Sequence, residues 1–274
     1  MNLVDGQRWS PENFTSMQLL ASDFDRTIAR TDEVGPLNMN VERTTYCAVE
    51  RILGPLALEQ YVRDGGLNNR APGQVVQSLA PTLLPEELQQ VSSDFVAYKL
   101  SLSMQQIGTH LDDGSPWPRL VDGFATAWSD LQELGAEEPG VDTAIVSSGH
   151  DSFIMKVFEV HDLPLPDVLI SEDTVRAEIP HEDYGAYVKP SPFLIGLTHR
   201  KWAECYSVPL SDSTTELCAR TLYLGDDLVK DGGLAQNASV QFVHVSAQAS
   251  RVAWEQALAI MQQRLVGVRH AEQE

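Results

Sequence analysis

Met17–Thr27 reads MQLLASDFDRT: a short apolar run that ends in two aspartates, Asp23 and Asp25, one residue apart. Runs of this length, apolar without alternation, suit strands buried on both faces of a sheet. Similar runs recur at Val141–Val146 (VDTAIV), Asp167–Ile170 (DVLI), Thr221–Leu224 (TLYL) and Val240–Val245 (VQFVHV). Helical periodicity separates several of them: Phe153, Ile154, Val157 and Phe158 mark one helix, and Val252, Leu258, Met261 and Leu265 mark another. Leu120–Leu134 reads as a further helix, stopped at Gly135. Strands alternating with helices predict an α/β fold with a parallel sheet covered on both faces.

One stretch breaks this rhythm. From about Asn38 to Leu111 no segment reads as a strand. Val41, Val49, Ile52 and Leu53 suit one amphipathic helix, and Leu88, Val91, Phe95, Tyr98 and Leu102 suit a longer one, with Pro85, Glu86 and Glu87 in its first turn. The chain therefore divides into an α/β core, residues 1–35 and 112–274, and an inserted all-helical segment, residues 36–111.

Bulk composition narrows the function classes. The 274 residues are 43% hydrophobic, enough for a sizeable core, and carry a formal charge of −20, which disfavours nucleic acid and anionic lipid as partners. Cys47, Cys205 and Cys218 are few and widely spaced, so neither a disulfide framework nor a zinc site is expected. No apolar run is long enough to span a bilayer. The N-terminal MNLVDGQRWSPENF lacks the basic and apolar regions of a signal peptide, so the expected location is cytoplasmic, with no membrane partner.

Four segments carry chemistry. In the first, DFDRT, two carboxylates at a strand end repel each other unless a cation joins them, and Mg2+ would accept one oxygen from each. Asp23 is then the candidate nucleophile toward phosphorus and Asp25 the candidate proton donor and acceptor. Taken alone, such a pattern is usually a turn with solvated acids. In the second segment, Val146-Ser147-Ser148-Gly149, a strand runs into a hydroxyl, a glycine and a helix start, which is an anion site by way of the Ser147 hydroxyl and the free N–H groups. Alone it would read as a helix cap by serine or by Asp151. The third is Lys189, in YVKPSPF, a cation for a phosphoryl oxygen and for Asp23, with Arg176 and Lys201 as competitors. The fourth is Gly225-Asp226-Asp227-Leu228-Val229-Lys230-Asp231, three acids within six residues at a strand end. Asp226 is the first choice as a metal ligand, and Asp231, one helical turn on, would orient that ligand or a metal-bound water. By itself this segment reads about equally well as an acidic cap on the next helix.

The four segments in this order, three of them after predicted strands, resemble the haloacid dehalogenase superfamily of phosphohydrolases, whose pattern is DxDxT, a strand-end Ser or Thr, a Lys or Arg, and GDxxxD or GDxxxxD. The resemblance runs from about Met17 to Val245. It implies a Rossmann-like core, a 36–111 segment acting as an α-helical C1 cap, and hydrolysis of a small phosphorylated metabolite through an aspartyl-phosphate on Asp23. It also implies Mg2+ held by Asp23, the backbone carbonyl of Asp25, and Asp226. The Asp25 carboxylate is then left free for proton transfer, while Asp227 reaches the metal through water and Asp231 supports it. Ser147, Ser148 and Lys189 would bind phosphate. Asp64–Gly73 resembles the loop that such caps lower over the site, with Asn69 and Arg70 as substrate contacts.

Two features depart from the family pattern. Arg26 stands where glycine is common, and there it could narrow the entrance or touch phosphate. Cys205–Arg220 reads as an extra surface loop, rich in Ser, Thr and Asp. Among other chemistries of this core, a dehalogenase has no need of Asp25, and a phosphonatase would carry a Schiff-base lysine in its cap, where Lys99 sits within a predicted helix. A sugar-phosphate mutase, or a non-catalytic binding protein on the same fold, are the alternative readings. Oligomeric state is not legible in the sequence.

Overall fold

The computed structural model describes residues 10–67, 72–136, 139–179, 184–210 and 214–271. Five strands form one parallel sheet: β1 (Gln18–Ser22), β2 (Val141–Val146), β3 (Val168–Ile170), β4 (Thr221–Gly225) and β5 (Gln241–His244), in the order β3-β2-β1-β4-β5. β1 is central, with Ser22 level with Ile145 of β2 on one side and Leu224 of β4 on the other. Every residue of β1, β2 and β4 is buried. That double burial is why these strands read as unbroken apolar runs in the sequence.

The chain splits into two compact units. The helical one spans Thr31–Arg119, wider than 36–111 because the segments flanking the helices also belong to it. The Gly108 N–H donates to the Trp117 carbonyl (2.9 Å) and the Trp117 N–H to the Thr109 carbonyl (2.8 Å), the Trp117 indole donates to the Glu33 carbonyl (2.9 Å), and Arg119 pairs with Glu33 (3.2 Å). Its helices are α1 (Val41–Leu53), α2 (Pro55–Arg63), α3 (Pro72–Leu79) and α4 (Pro85–Gln106). Asn40 caps α1, its side chain accepting from the Arg43 N–H at 2.8 Å, and Glu87 accepts from the Leu84 N–H at the head of α4. Val49, Tyr61, Val76 and Phe95 are the centre of a separate apolar core. The stretch read as a loop, Asp64–Gly73, is partly helical: a 3-10 turn covers Gly65–Leu67, and α3 already begins at Pro72, a residue suited to a first turn.

The second unit, Met1–Arg30 with Leu120–Glu274, holds the sheet. Its helices are α5 (Phe124–Gly135), α6 (Asp151–Val160), α7 (Glu172–Glu178), α8 (Phe193–Cys205), α9 (Thr214–Arg220), α10 (Asp231–Ala238) and α11 (Ser250–Ala271). Two sequence expectations are corrected here. The helix expected from Leu120 starts at Phe124, because Leu120 bridges to Ala29 and Gly123 takes a left-handed conformation (φ 86°). A β-carbon at Gly123 would also meet the Arg251 backbone at 2.7 Å. The stretch Cys205–Arg220 is not all loop, since Thr214–Arg220 forms α9. Among the described residues no helix is long and apolar enough to cross a membrane.

Side chains alternate across the sheet. Leu19, Ala21, Ala144, Val146 and Tyr223 meet Leu194, Trp202 and Tyr206 of the α8 region and Leu234 of α10 on one face. Leu20, Ile145 and Leu224 are buried on the other, where α5 and α11 pack on β2 and β1 and the rings of Phe124, Trp128, Phe158 and Trp254 contact one another. Each fully buried tryptophan contributes on the order of 2–3 kcal/mol of apolar burial. The indole of Trp254 also donates to the Thr27 carbonyl (3.1 Å), which ties the loop after β1 to the core.

Candidate active site

Three neighbouring strands end level with one another, so the residues just beyond them share one edge of the sheet. Asp23 follows β1, Ser147 follows β2, and Asp226 follows β4. The Asp23 N–H still donates to the Leu224 carbonyl (2.8 Å) and the Ser147 N–H to the Ile170 carbonyl (2.8 Å), so both side chains start from backbone fixed by the sheet. This is the carboxyl edge, where open parallel sheets place their ligands.

Lys189 reaches this edge from the segment before α8. Its ammonium is buried and donates to Asp23 Oδ1, lies 2.8 Å from Asp231 Oδ1, and stands 5.7 Å from the centre of the Tyr223 ring. Burial opposes the lysine charge, but Asp23, Tyr223 and Asp231 together outweigh it and hold the pKa well above the usual lysine range. One lysine charge thus serves two buried carboxylates. Burial pushes the Asp23 carboxyl up to about 7, with Asp231 and Asp25 adding to the rise and Lys189 opposing it. Burial likewise raises Asp226 to about 6, opposed mainly by Arg26.

Asp23, Asp226 and Asp231 each offer a ligand atom, and these atoms lie within 4.8 Å of one another. An all-oxygen set of crowded carboxylates fits a hard divalent cation such as Mg2+. The carboxylate of Asp25 is not in this group, and Asp231 takes the third place. Asp231 opens α10, its N–H bonded to the Asp227 carbonyl one turn back (2.8 Å), and its oxygens also accept from the Tyr223 hydroxyl (3.1 Å) and the Asp227 N–H (3.1 Å). Gly225 makes room for it: a β-carbon there would fall 2.3 Å from Asp231 Cβ. Asp227 turns back on the chain instead of outward. Its Oδ1 accepts from the Lys230 (3.0 Å) and Val229 (2.9 Å) N–H groups, and the first of these leads in holding its carboxyl below the usual range.

Ser147 is buried and its Oγ accepts from the Gly149 N–H (2.9 Å), while Ser148 is exposed. Neither Ser147 nor Asp151 caps α6. The cap position is His150, and the Asp151 N–H is taken by Asp173 Oδ2 (3.0 Å). The two cations that competed with Lys189 are engaged elsewhere, Arg176 with Glu172 (2.7 Å) and Lys201 with Glu178 (2.9 Å). Asn69 and Arg70 lie outside the described residues.

Two partners at this edge, Tyr223 and His244, carry no functional signal in the sequence, and a third, Arg26, is expected from it only to narrow the entrance or touch phosphate. Tyr223 was read only as a strand residue, yet its hydroxyl meets Asp231. His244 Nε2 donates to the Asp226 carbonyl (2.9 Å) from the end of β5. Arg26 Nη2 lies 3.0 Å from Asp226 Oδ2. The alternation of β4 placed Tyr223 on a known face, but nothing in the sequence brought it to Asp231.

No protein-family model matches the chain, and no curated protein sequence matches it. Solved structures do. A β-phosphoglucomutase from Clostridium difficile aligns over 84% of this chain and 85% of its own, with a TM-score of 0.51 at 11% identity. The chain has a haloacid dehalogenase-like fold. A HAD phosphatase from Thermococcus onnurineus (TM-score 0.48, 18% identity, 84% and 86% of the two chains) and a hydrolase from Pseudomonas syringae (0.48, 16%, 88% and 90%) are also similar. In this haloacid dehalogenase-like fold the central strand is β1, and the acidic edge described above lies at its tip.

Proposed function

We propose that the chain is a Mg2+-dependent phosphoric monoester hydrolase that acts on a small phosphorylated metabolite through an aspartyl-phosphate on Asp23. The observation that carries this reading is the placement of Asp23: its carboxylate is paired with the buried Lys189 and grouped with Asp226 and Asp231 at the tips of adjacent parallel strands. A nucleophilic carboxylate needs a fixed position, and here both backbone and side chain are held.

In the first step an Asp23 oxygen bonds to phosphorus and the ester P–O bond breaks. The leaving alkoxide takes a proton from the Asp25 carboxyl. In the second step water attacks the phosphorus of the acyl phosphate, gives its proton to Asp25, and phosphate departs as the Asp23 carboxylate re-forms. The Ser147 hydroxyl and the N–H groups that follow it bind phosphoryl oxygens, with Ser148 at the exposed rim. Lys189 offsets the charge that gathers around phosphorus, and Asp231 with Tyr223 keeps its ammonium in place. Mg2+, held by Asp23, the Asp25 carbonyl and Asp226 and supported by Asp231, would supply positive charge that lets two anions approach. Asp227 keeps the Asp226–Asp231 turn in shape through its backbone bonds. The helical segment 36–111 is assigned the role of cap, with Asn69 and Arg70 as substrate contacts.

Release of p-nitrophenol from p-nitrophenyl phosphate, with Mg2+ and with a chelator, tests the reading. Turnover should need Mg2+, and Asp23→Asn should abolish it with the fold intact. Persistent turnover in that variant removes Asp23 as nucleophile. The likeness to a β-phosphoglucomutase fold gives a second reading, a sugar-phosphate mutase. Interconversion of two hexose monophosphates without free phosphate would favour it.

A further inference from the structure

Arg26 is exceptional in both backbone and side chain. It is one of a few described non-glycine residues with positive φ (58°), a conformation that costs an L-residue about 1 kcal/mol or more. The turn that imposes it is tight: the Arg26 N–H donates to the Ala29 carbonyl (2.7 Å), and the Ile28 and Ala29 N–H groups both donate to the Phe24 carbonyl. Its side chain, half exposed, leaves solvent at one end to meet Asp226 Oδ2 at 3.0 Å, a carboxylate whose own side chain is only 15% exposed.

We infer that Arg26 is a tethered counter-ion that competes with the divalent cation for Asp226 and so sets the cation concentration at which the site fills. The inference rests on the metal reading of Asp226 given above. Lys189 and Arg26 divide the carboxylate group between them: Lys189 serves Asp23 and Asp231, and Arg26 serves Asp226. With both in place the three carboxylates retain one uncompensated negative charge, and without Arg26 they retain two. A cation entering the group must either take Asp226 from Arg26 or share the carboxylate with a positive charge a few ångströms away. Both weaken binding. The buried Lys189 cannot be traded in this way, because its departure would strand two buried anions. Arg26 can leave for solvent at little cost, since its outer half is already there.

The test is Mg2+ binding by isothermal titration calorimetry on the metal-free full chain at low ionic strength, a measurement independent of turnover. Wild type, Arg26→Gln, Arg26→Gly and Asp226→Asn are compared. Arg26→Gln removes the charge but keeps a side chain at φ 58°, whereas Arg26→Gly removes both charge and strain. Both should bind Mg2+ tighter, by roughly threefold to tenfold, the range of an exposed ion pair with added charge repulsion. The gap should shrink as salt is raised, because Arg26 is half exposed. Equal or weaker affinity in Arg26→Gln overturns the inference, and so does tightening seen only in Arg26→Gly, which would trace the effect to the strained turn. If wild type and Asp226→Asn bind Mg2+ alike or not at all, the metal assignment of Asp226 falls and the inference with it. Loss of binding in Asp226→Asn with unchanged Arg26 variants overturns the inference alone.

Discussion

A β-carbon placed on Gly225 would stand 2.3 Å from the β-carbon of Asp231 and 2.5 Å from its Oδ2. The last residue of β4 and the first of α10 are therefore packed backbone against side chain, with no room for a methyl group. Gly225→Ala must push Asp231 off Lys189 and Tyr223. Overpacking of this kind costs about 1–3 kcal/mol, and an ångström-scale displacement near the reacting atoms costs roughly a hundredfold in rate. Urea titration and p-nitrophenyl phosphate turnover check the two effects separately. Wild-type behaviour in both would mean that the turn relaxes without moving the acid.

Lys189→Met keeps the length of the side chain and removes the charge that Asp23 and Asp231 share. Breaking a buried ion pair from one side destabilises by about 3–5 kcal/mol. The loss should be larger at pH 8 than at pH 5, because below about 7 Asp23 takes up a proton and no longer needs the lysine. Denaturation midpoints at the two pH values read this directly.

Asp23 and Asp226 have folded-state pKa values raised to about 7 and about 6 from 3.8. A raised carboxyl favours the folded state below its unfolded pKa, and that advantage is lost as pH rises through the folded value. Without metal, these two groups should therefore lower stability between about pH 4 and pH 7. Adding Mg2+ should raise Tm more at pH 8, where the carboxylates are ionised and crowded, than at pH 5, where protons compete for them. Thermal scans with Mg2+ or with chelator at both pH values decide it. An equal shift at both would place Mg2+ away from this group.

Tyr223→Phe keeps the buried ring beside Lys189 and removes only the hydroxyl that meets Asp231 Oδ1. A cost of about 1 kcal/mol is expected for the lost hydrogen bond. Because Asp231 holds Lys189, turnover should fall by more than Mg2+ affinity does. Parallel measurements of urea midpoint, turnover and Mg2+ binding separate these effects.

Much of the sheet was legible because a parallel strand buried on both faces leaves an unbroken apolar run, as in MQLLAS and VDTAIV. Helix α9 was hidden by the polar composition around it, and the start of α5 by a bridge between Leu120 and Ala29, residues far apart in the chain. At the strand tips, short motifs single out Asp23, Ser147, Lys189 and Asp226 because each stands at a fixed offset from a strand or a helix start. Partnership had no such mark. That Asp231 joins Asp23 and Asp226 in one acidic group, that Asp227 turns to its own backbone, and that Tyr223 and Arg26 reach Asp231 and Asp226, all follow from side-chain directions.

Periodicity and motif order, both local properties of the chain, were sufficient for the α/β class, the strand set and the residues at the sheet edge. Beyond the expected pairing of Lys189 with Asp23, which carboxylate meets which cation was decided by the tertiary structure. Coulomb interaction and hydrogen bonding depend on distances of a few ångströms, and those distances arise only when β1, β4 and the Lys189 segment are brought side by side.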